Sequence, residues 1–324
     1  MSDIFPPISA KQPWLAPLAG FSDLPFRLLC RHLGCDLACT EMISAKGLIL
    51  GSATWSLLQS CPEDSPLVVQ LFGSEKGYIS QAMEILLQRG FRFFDLNAGC
   101  AVRKVTKTGA GAALLQNPGR LLDLAGEMLR LAGPGRVGVK LRTGWDQDNQ
   151  VFLQIARGLE ELQAGWVTLH PRTARQGFSG QADWSKLRKL QERVSLPVVG
   201  SGDLFTARQG LDCLQQTGIQ GVMFARGALA NPGIFQELKD LLSGVEQPDQ
   251  GQNQDPGQKL QRIKSIALEH IRLSRKYSSQ PRAFFKMRTV LPRYLKGVRQ
   301  AKELRSRIVA CRDWQELEFL VQGI

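Results

Sequence analysis

A rhythm limits the fold of this chain more than any single residue does. Apolar runs of strand length alternate with amphipathic stretches of helix length over roughly 230 of its 324 residues. The runs lie at 14–16, 36–40 and 66–73, from 93 toward Asn97, and at 137–142, 166–170, 196–200 and 221–225. Between them the spacing predicts helices, the first capped by Ser22 or Asp23 with Pro25 in its opening turn, the others near 77–88, 119–131, 151–163, 184–192 and 206–216. The runs are apolar on both faces, as strands of a parallel sheet covered by helices must be. Eight such units predict an α/β protein in which residues 1–243 form a (β/α)8 TIM barrel. A doubly wound open sheet fits less well, because no glycine-rich dinucleotide fingerprint follows the first strand.

In a barrel of this kind the chemistry sits at the C-terminal ends of the strands. Polar residues fall there in register: Gln70, Asn97 with Cys100, Lys140 with Arg142, His170 with Arg172, Ser201 with Asp203, and Arg226. One polar residue at a strand end means only that the strand has met water; a repeated set describes a polar mouth. Gly99 lets the backbone turn after the fourth strand and holds Cys100 at the tip of an element, where a thiol can exchange a proton, attack a carbon or bind a metal. A cysteine is ordinarily one more small buried hydrophobe. The cations Arg103 and Lys104 and the run Gly109-Ala110-Gly111-Ala112-Ala113-Leu114-Leu115 that follow argue against that here. Lys140 is a charge inside Val-Gly-Val-Lys-Leu and should face an anionic or electron-rich ligand. Gly200-Ser201-Gly202-Asp203 and Ala225-Arg226-Gly227 bring small residues and a cation to the last two strands, where barrels commonly bind a phosphate.

A formal net charge of +12 implies attraction to polyanions, nucleic acid or acidic lipid. Its distribution favours the first. A polar, breaker-rich linker at 244–257 precedes a helical domain at 258–324, in which Arg272, Arg275, Lys276, Arg282, Lys286, Arg288, Arg293, Lys296, Arg305 and Arg307 are hardly balanced by acids. A basic helix is usually a solvated face, but one so short of acids reads as a phosphate track. Phe284, Phe285 and Tyr294 read as core. No window approaches twenty unbroken apolar residues, so no membrane-spanning helix is expected. The start, MSDIFPPISAKQP, lacks the pattern of a signal peptide. Seven scattered cysteines, of no metal-ligand spacing, suggest a reducing, cytoplasmic setting and no metal site.

Several stretches together resemble the tRNA-dihydrouridine synthases, most closely the bacterial B-like branch: LAPLAGFSDLPFR, VVQLFG, FDLNAGCAVRKVTKTGAGAALL, VGVKLRTGW, TLHPRT, VVGSGDL and MFARGAL. The resemblance implies a flavin mononucleotide (FMN) barrel with a C-terminal helical domain that helps hold tRNA, reducing particular uridines with NADPH as electron source, as a monomer. By position it makes Cys100 the general acid. Pro17, Leu18 and Ala19 line the flavin, Gln70, Asn97, Lys140 and His170 contact it, and Ser201, Gly202, Asp203, Ala225 and Arg226 hold its phosphate end. Arg103, Lys104, Arg142, Arg172, Arg282, Lys286, Arg288 and Arg293 are expected on the RNA side. The sequence departs from the family pattern at Ala101, where proline is usual, and at Leu18, Ser201, Ala225, Thr289 and Val290. An FMN barrel acting on a free small molecule, a dihydrouridine synthase for ribosomal RNA and a non-catalytic RNA-binding protein are the other readings.

Overall fold

Nine parallel strands form one sheet in the computed structural model, which describes residues 8–51, 53–245, 256–279, 281–296, 298 and 301–324. They are β1 (Trp14–Leu15), β2 (Leu37–Cys39), β3 (Ile43–Ser44), β4 (Leu67–Phe72), β5 (Phe93–Ala98), β6 (Val137–Arg142), β7 (Trp166–His170), β8 (Val198–Gly200) and β9 (Gly221–Phe224). Eight of them close into the expected TIM barrel, because β2 pairs with β1 on one side and β4 on the other while β9 returns to β1. β3 is a second piece of the second barrel strand. Ala38 pairs with Leu67 and Ile43 with Leu71, so the chain fits one extra residue between β2 and β3 and bulges there. The first seven residues and most of the expected linker, 246–255, lie outside the described residues.

Strand alternation divides the apolar residues between two cores. Trp14, Leu37, Cys39, Val68, Phe93, Trp166, Val199 and Met223 fill the barrel interior, with the two indoles 5.4 Å apart. Gly138 makes room for them: a Cβ there would stand 2.0 Å from Trp166 Nε1. The outward residues, such as Phe94, Leu96 and Ala98 on β5, pack under the helices. Those helices begin where capping residues allow. Asp23, not Ser22, caps Leu24–His32 by accepting from Phe26 N, and Thr206 with Gln209 forms a capping box on Ala207–Thr217.

Beyond the barrel lie helices Pro256–Tyr277, Arg282–Tyr294, Ala301–Ala310 and Trp314–Gln322. Their apolar faces continue the outer core rather than forming a separate one: Phe26 of the Leu24–His32 helix stacks 5.6 Å from His270, whose Nδ1 is 2.7 Å from the Tyr294 hydroxyl. Burial drives the His270 pKa down to about 3, so this joint is neutral. Phe284 and Tyr294 are core as expected. Phe285 is not; it is 55% exposed, since neighbours on a helix point in different directions and Phe284 takes the inward one. No helix among the described residues is long and apolar enough to cross a membrane.

Candidate active site

A cavity of about 430 Å³ opens at the C-terminal ends of the strands. The loop after β1, Pro17-Leu18-Ala19, forms one wall, the Asn97–Val102 segment a second, and the loops after β8 and β9 a third, with Lys140 and Arg142 between. Cys100 faces this cavity on a loop held from several sides. Asn97 Oδ1 accepts the backbone N–H of Gly99 (3.2 Å) and of Cys100 (3.0 Å). Arg142 Nε donates to the Gly99 carbonyl (2.9 Å), and Ala112 N donates to that of Cys100 (2.9 Å). The glycine-rich run has its use here. Gly111 has a φ of +62° and its missing Cβ would lie 2.6 Å from the Cys100 oxygen, so no other residue lets the run pass beneath the thiol.

Under the cavity lies a polar layer. Asn97 and Lys140 are register partners on β5 and β6, and both line the cavity. Gln70 does not; it is fully buried one step below, donating Nε2 to Asp95 Oδ2 (2.6 Å) and accepting from Asn97 Nδ2 at Oε1 (2.8 Å). The contact expected of Gln70 therefore reaches the cavity only through Asn97. Burial pushes the Asp95 carboxyl up to about 6 against the pull of Gln70 and Lys140. Burial likewise brings Lys140 down to about 8, opposed chiefly by the charge of Asp95.

The far end is built around Asp203, a non-glycine residue at a φ of +54°. Burial would raise its carboxyl, but hydrogen bonds from Arg172 and Ala182 N and the charges of Arg172 and Arg226 outweigh that and hold it below the ordinary range. Arg172 grips both its oxygens (2.9 and 2.7 Å) and the Ser179 and Gly180 carbonyls. It is buried and turned inward, so the donors of Arg172, expected on the RNA side, are engaged within the protein. Arg142 is similarly engaged, donating to the Thr173 and Gly177 carbonyls while still lining the cavity. Burial, with Lys140 and three arginines nearby, lowers His170 to about 2, so its imidazole is neutral. Arg172 Nη1 faces His170 Nε2 at 3.4 Å; a guanidinium only donates, which makes Nε2 the bare nitrogen. Ser201, Gly202, Ala225 and Arg226 complete this end. The Arg226 guanidinium reaches Asp203 Oδ1 (3.3 Å) and stacks on Phe178 and Phe205 at 4.5 and 4.8 Å.

A family profile described as dihydrouridine synthase matches residues 14–322. The chain belongs to the dihydrouridine synthase family. It is 33% identical over 310 residues to a probable tRNA-dihydrouridine synthase of Aquifex aeolicus, covering 94% of this chain and 92% of that one. Proteins named tRNA-dihydrouridine synthase B, from Pasteurella multocida (28% identical, 96% of this chain and 91% of that one) and Pseudomonas aeruginosa (31%, 79% and 75%), place it with the B-like branch. Among solved structures the barrel is shared with TcOYE in complex with pHBA (8% identical, TM-score 0.53, covering 74% of this chain and 90% of that one). It is shared also with the old yellow enzyme homologue NCR of Zymomonas mobilis (13%, 0.50, 76% and 93%).

Within this synthase the cations outside the cavity divide by what they touch. Arg103 and Lys104 are exposed on a short helix, Arg103–Thr106, just past the Cys100 loop. Arg282 is exposed, Arg288 stacks 5.8 Å from Phe284 and from Phe285, and Arg293 lies 4.8 Å over Phe21. Lys286 is tied to the barrel, to Asp23 (2.7 Å) and the Phe21 carbonyl (3.0 Å). Arg226 and Phe205 also line a second cavity, of about 940 Å³, whose other walls carry Lys259, Arg293, Lys296 and Arg305 from the C-terminal helices.

Sequence reasoning passed over Met42, Phe178, Phe205 and Asp95. Phe178 and Phe205 had a signal, an aromatic side chain in a polar or glycine-bearing loop after a strand, that was available to read. Met42 had none, because it reaches the cavity through the bulge. The loop at Ala101 keeps its hydrogen bonds without the usual proline.

Proposed function

We propose that this protein reduces particular uridines of tRNA to 5,6-dihydrouridine, with FMN held in the smaller cavity and NADPH as the electron source. The observation that carries the reading is that Cys100 and Lys140 face the same 430 Å³ space from neighbouring strands. The cavity suits a flavin on its own geometry. It offers an apolar side at Ala16–Ala19, a cation and an amide at Lys140 and Asn97, and a second cation at the far end, Arg226. At that end Gly202 approaches His170 so closely that a Cβ would meet Cδ2 at 2.7 Å. Bound FMN would supply the hydride that uracil carbon 6 receives. Lys140 sets a positive charge against the electron-rich edge of the ring, Asn97 fixes the acid's loop, and Cys100 gives a proton to carbon 5 as charge develops there. Neutral His170 hydrogen-bonds without adding charge. The target base must leave its stack, which costs a few kcal/mol and is easiest in a loop. Residues 258–324 serve as the RNA-binding domain, through the basic wall they give the second cavity.

Cys100→Ala should abolish dihydrouridine formation in tRNA, followed by mass spectrometry of digested nucleosides, while NADPH oxidation by the yellow protein persists. Dihydrouridine formed at the wild-type rate would remove Cys100 from the reaction; a colourless protein would remove the flavin.

A further inference from the structure

Beneath the Cys100 loop runs a chain of hydrogen bonds whose direction is set from below. Asp95 is 1% exposed and does not line the cavity. A carboxylate can only accept, so Gln70 must turn its Nε2 toward Asp95 (2.6 Å) and leave Oε1 pointing at Asn97. Asn97 must then present Nδ2 to Gln70 (2.8 Å), which leaves its Oδ1 facing the loop. The sulfur of Met42, an acceptor, lies 3.1 Å from the same Nδ2 and favours the same orientation. At the top, that one oxygen takes the N–H groups of both Gly99 and Cys100. The two ends of an amide are nearly the same in shape, so packing alone does not choose between them. Reversal of the chain would set an NH2 group against two backbone N–H groups and push the loop away.

We propose that Asp95 is a positioning residue for Cys100: through Gln70 and Asn97, its carboxylate fixes the polarity of an amide chain whose last oxygen holds the backbone that carries the thiol. Lys140 on β6 and Cys39 on β2 are the titratable groups facing Asp95, and the charge of Lys140 favours the carboxylate form. The consequence for catalysis rests on the proposed function, but the coupling belongs to the chain itself and is measured without turnover.

Asp95→Asn keeps the shape and can donate, so it releases the constraint. In full-length protein at one fixed pH, alkylation of Cys100 by iodoacetamide is followed by peptide mass spectrometry, with Cys61, the other partly exposed thiol, as reference. Asp95→Asn should raise the Cys100 rate about fivefold, equivalent to ~1 kcal/mol of coupling. Asn97→Ala should do the same, and the double variant should add nothing further, with Cys61 unchanged throughout. Effects that multiply in the double variant, an unchanged rate in Asp95→Asn, or a parallel rise at Cys61 would each overturn the proposal. If Asp95→Asn does not fold, Gln70→Met cuts the chain one link higher and must speed Cys100 as Asn97→Ala does; an unchanged rate there overturns it equally. Cys100→Ala, scored on tRNA, judges the function independently.

Discussion

Lys140 and Asp95 are two buried ionisable groups, each of which favours the charged form of the other. Burial lowers the lysine to about 8 and raises the aspartate to about 6, so each is neutral over a wider range than in the unfolded chain. Asp95 therefore contributes stability below its ordinary pKa and loses it as pH rises through about 6; Lys140 contributes above its ordinary pKa and loses it as pH falls through about 8. Between those values both are ionised at some cost in desolvation. FMN affinity, measured by quenching of flavin fluorescence, should accordingly fall above pH 8 toward a limit of about tenfold per unit. Arg142, held to about 10, stays charged through that first fall, and Lys140→Met should bind more weakly with no such slope. A flat affinity in the wild type would take Lys140 out of the flavin site. Lys140 and Cys100 were legible in the sequence because a charge in an apolar strand and a thiol behind a turning glycine are local signals. Asp95 was not. Alternation points it inward, but its role depends on Gln70 from a different strand, a pairing that only the register creates.

At the scale of elements, the rhythm of apolar runs was enough to read the barrel, since a strand buried on both faces announces itself over five or six residues. Its finer geometry was hidden for a different reason. The bulge between β2 and β3 is a one-residue slip against β4, and neither Thr40 nor Glu41 marks it; Glu41 is nevertheless carried there to accept from Gly20 N in the loop after β1. Gly138 could be taken for a weak point in β6, whereas it is the space in which the Trp166 indole lies. Gly138→Ala should lower stability by about 1–3 kcal/mol, the usual cost of overpacking, seen as a lower urea midpoint. Adding Trp166→Phe, which withdraws the clashing part of the ring, should restore part of the loss. A Gly138→Ala protein as stable as wild type would mean that the inner core adjusts more freely than this packing allows.

Across the whole molecule, charge and packing pull the C-terminal helices in complementary ways. Their apolar faces join the barrel's outer core, and Lys286 fastens them to the loop after β1 that also walls the smaller cavity. Their basic faces turn toward the second cavity, which meets the first at Phe205 and Arg226. Two cations there are already matched, Arg262 paired with Glu237 and Arg226 with Asp203, so it is Lys259, Arg293, Lys296 and Arg305 that leave the cavity its excess positive charge. The sequence showed the surplus of basic residues but not this division between those that pair inside the protein and those that face outward. If the outward ones follow the RNA backbone, each phosphate they neutralise releases counterions, and log affinity for tRNA should fall linearly with log salt. Replacing Lys259, Lys296 and Arg305 with alanine should then flatten that slope by about 0.7–0.9 for each phosphate no longer neutralised, while FMN affinity stays unchanged because none of the three lines the smaller cavity. Titrations of labelled tRNA at several salt concentrations measure this directly. A slope equal to the wild type's would show that the RNA reaches the mouth by another side of the barrel, past Arg103 and Lys104.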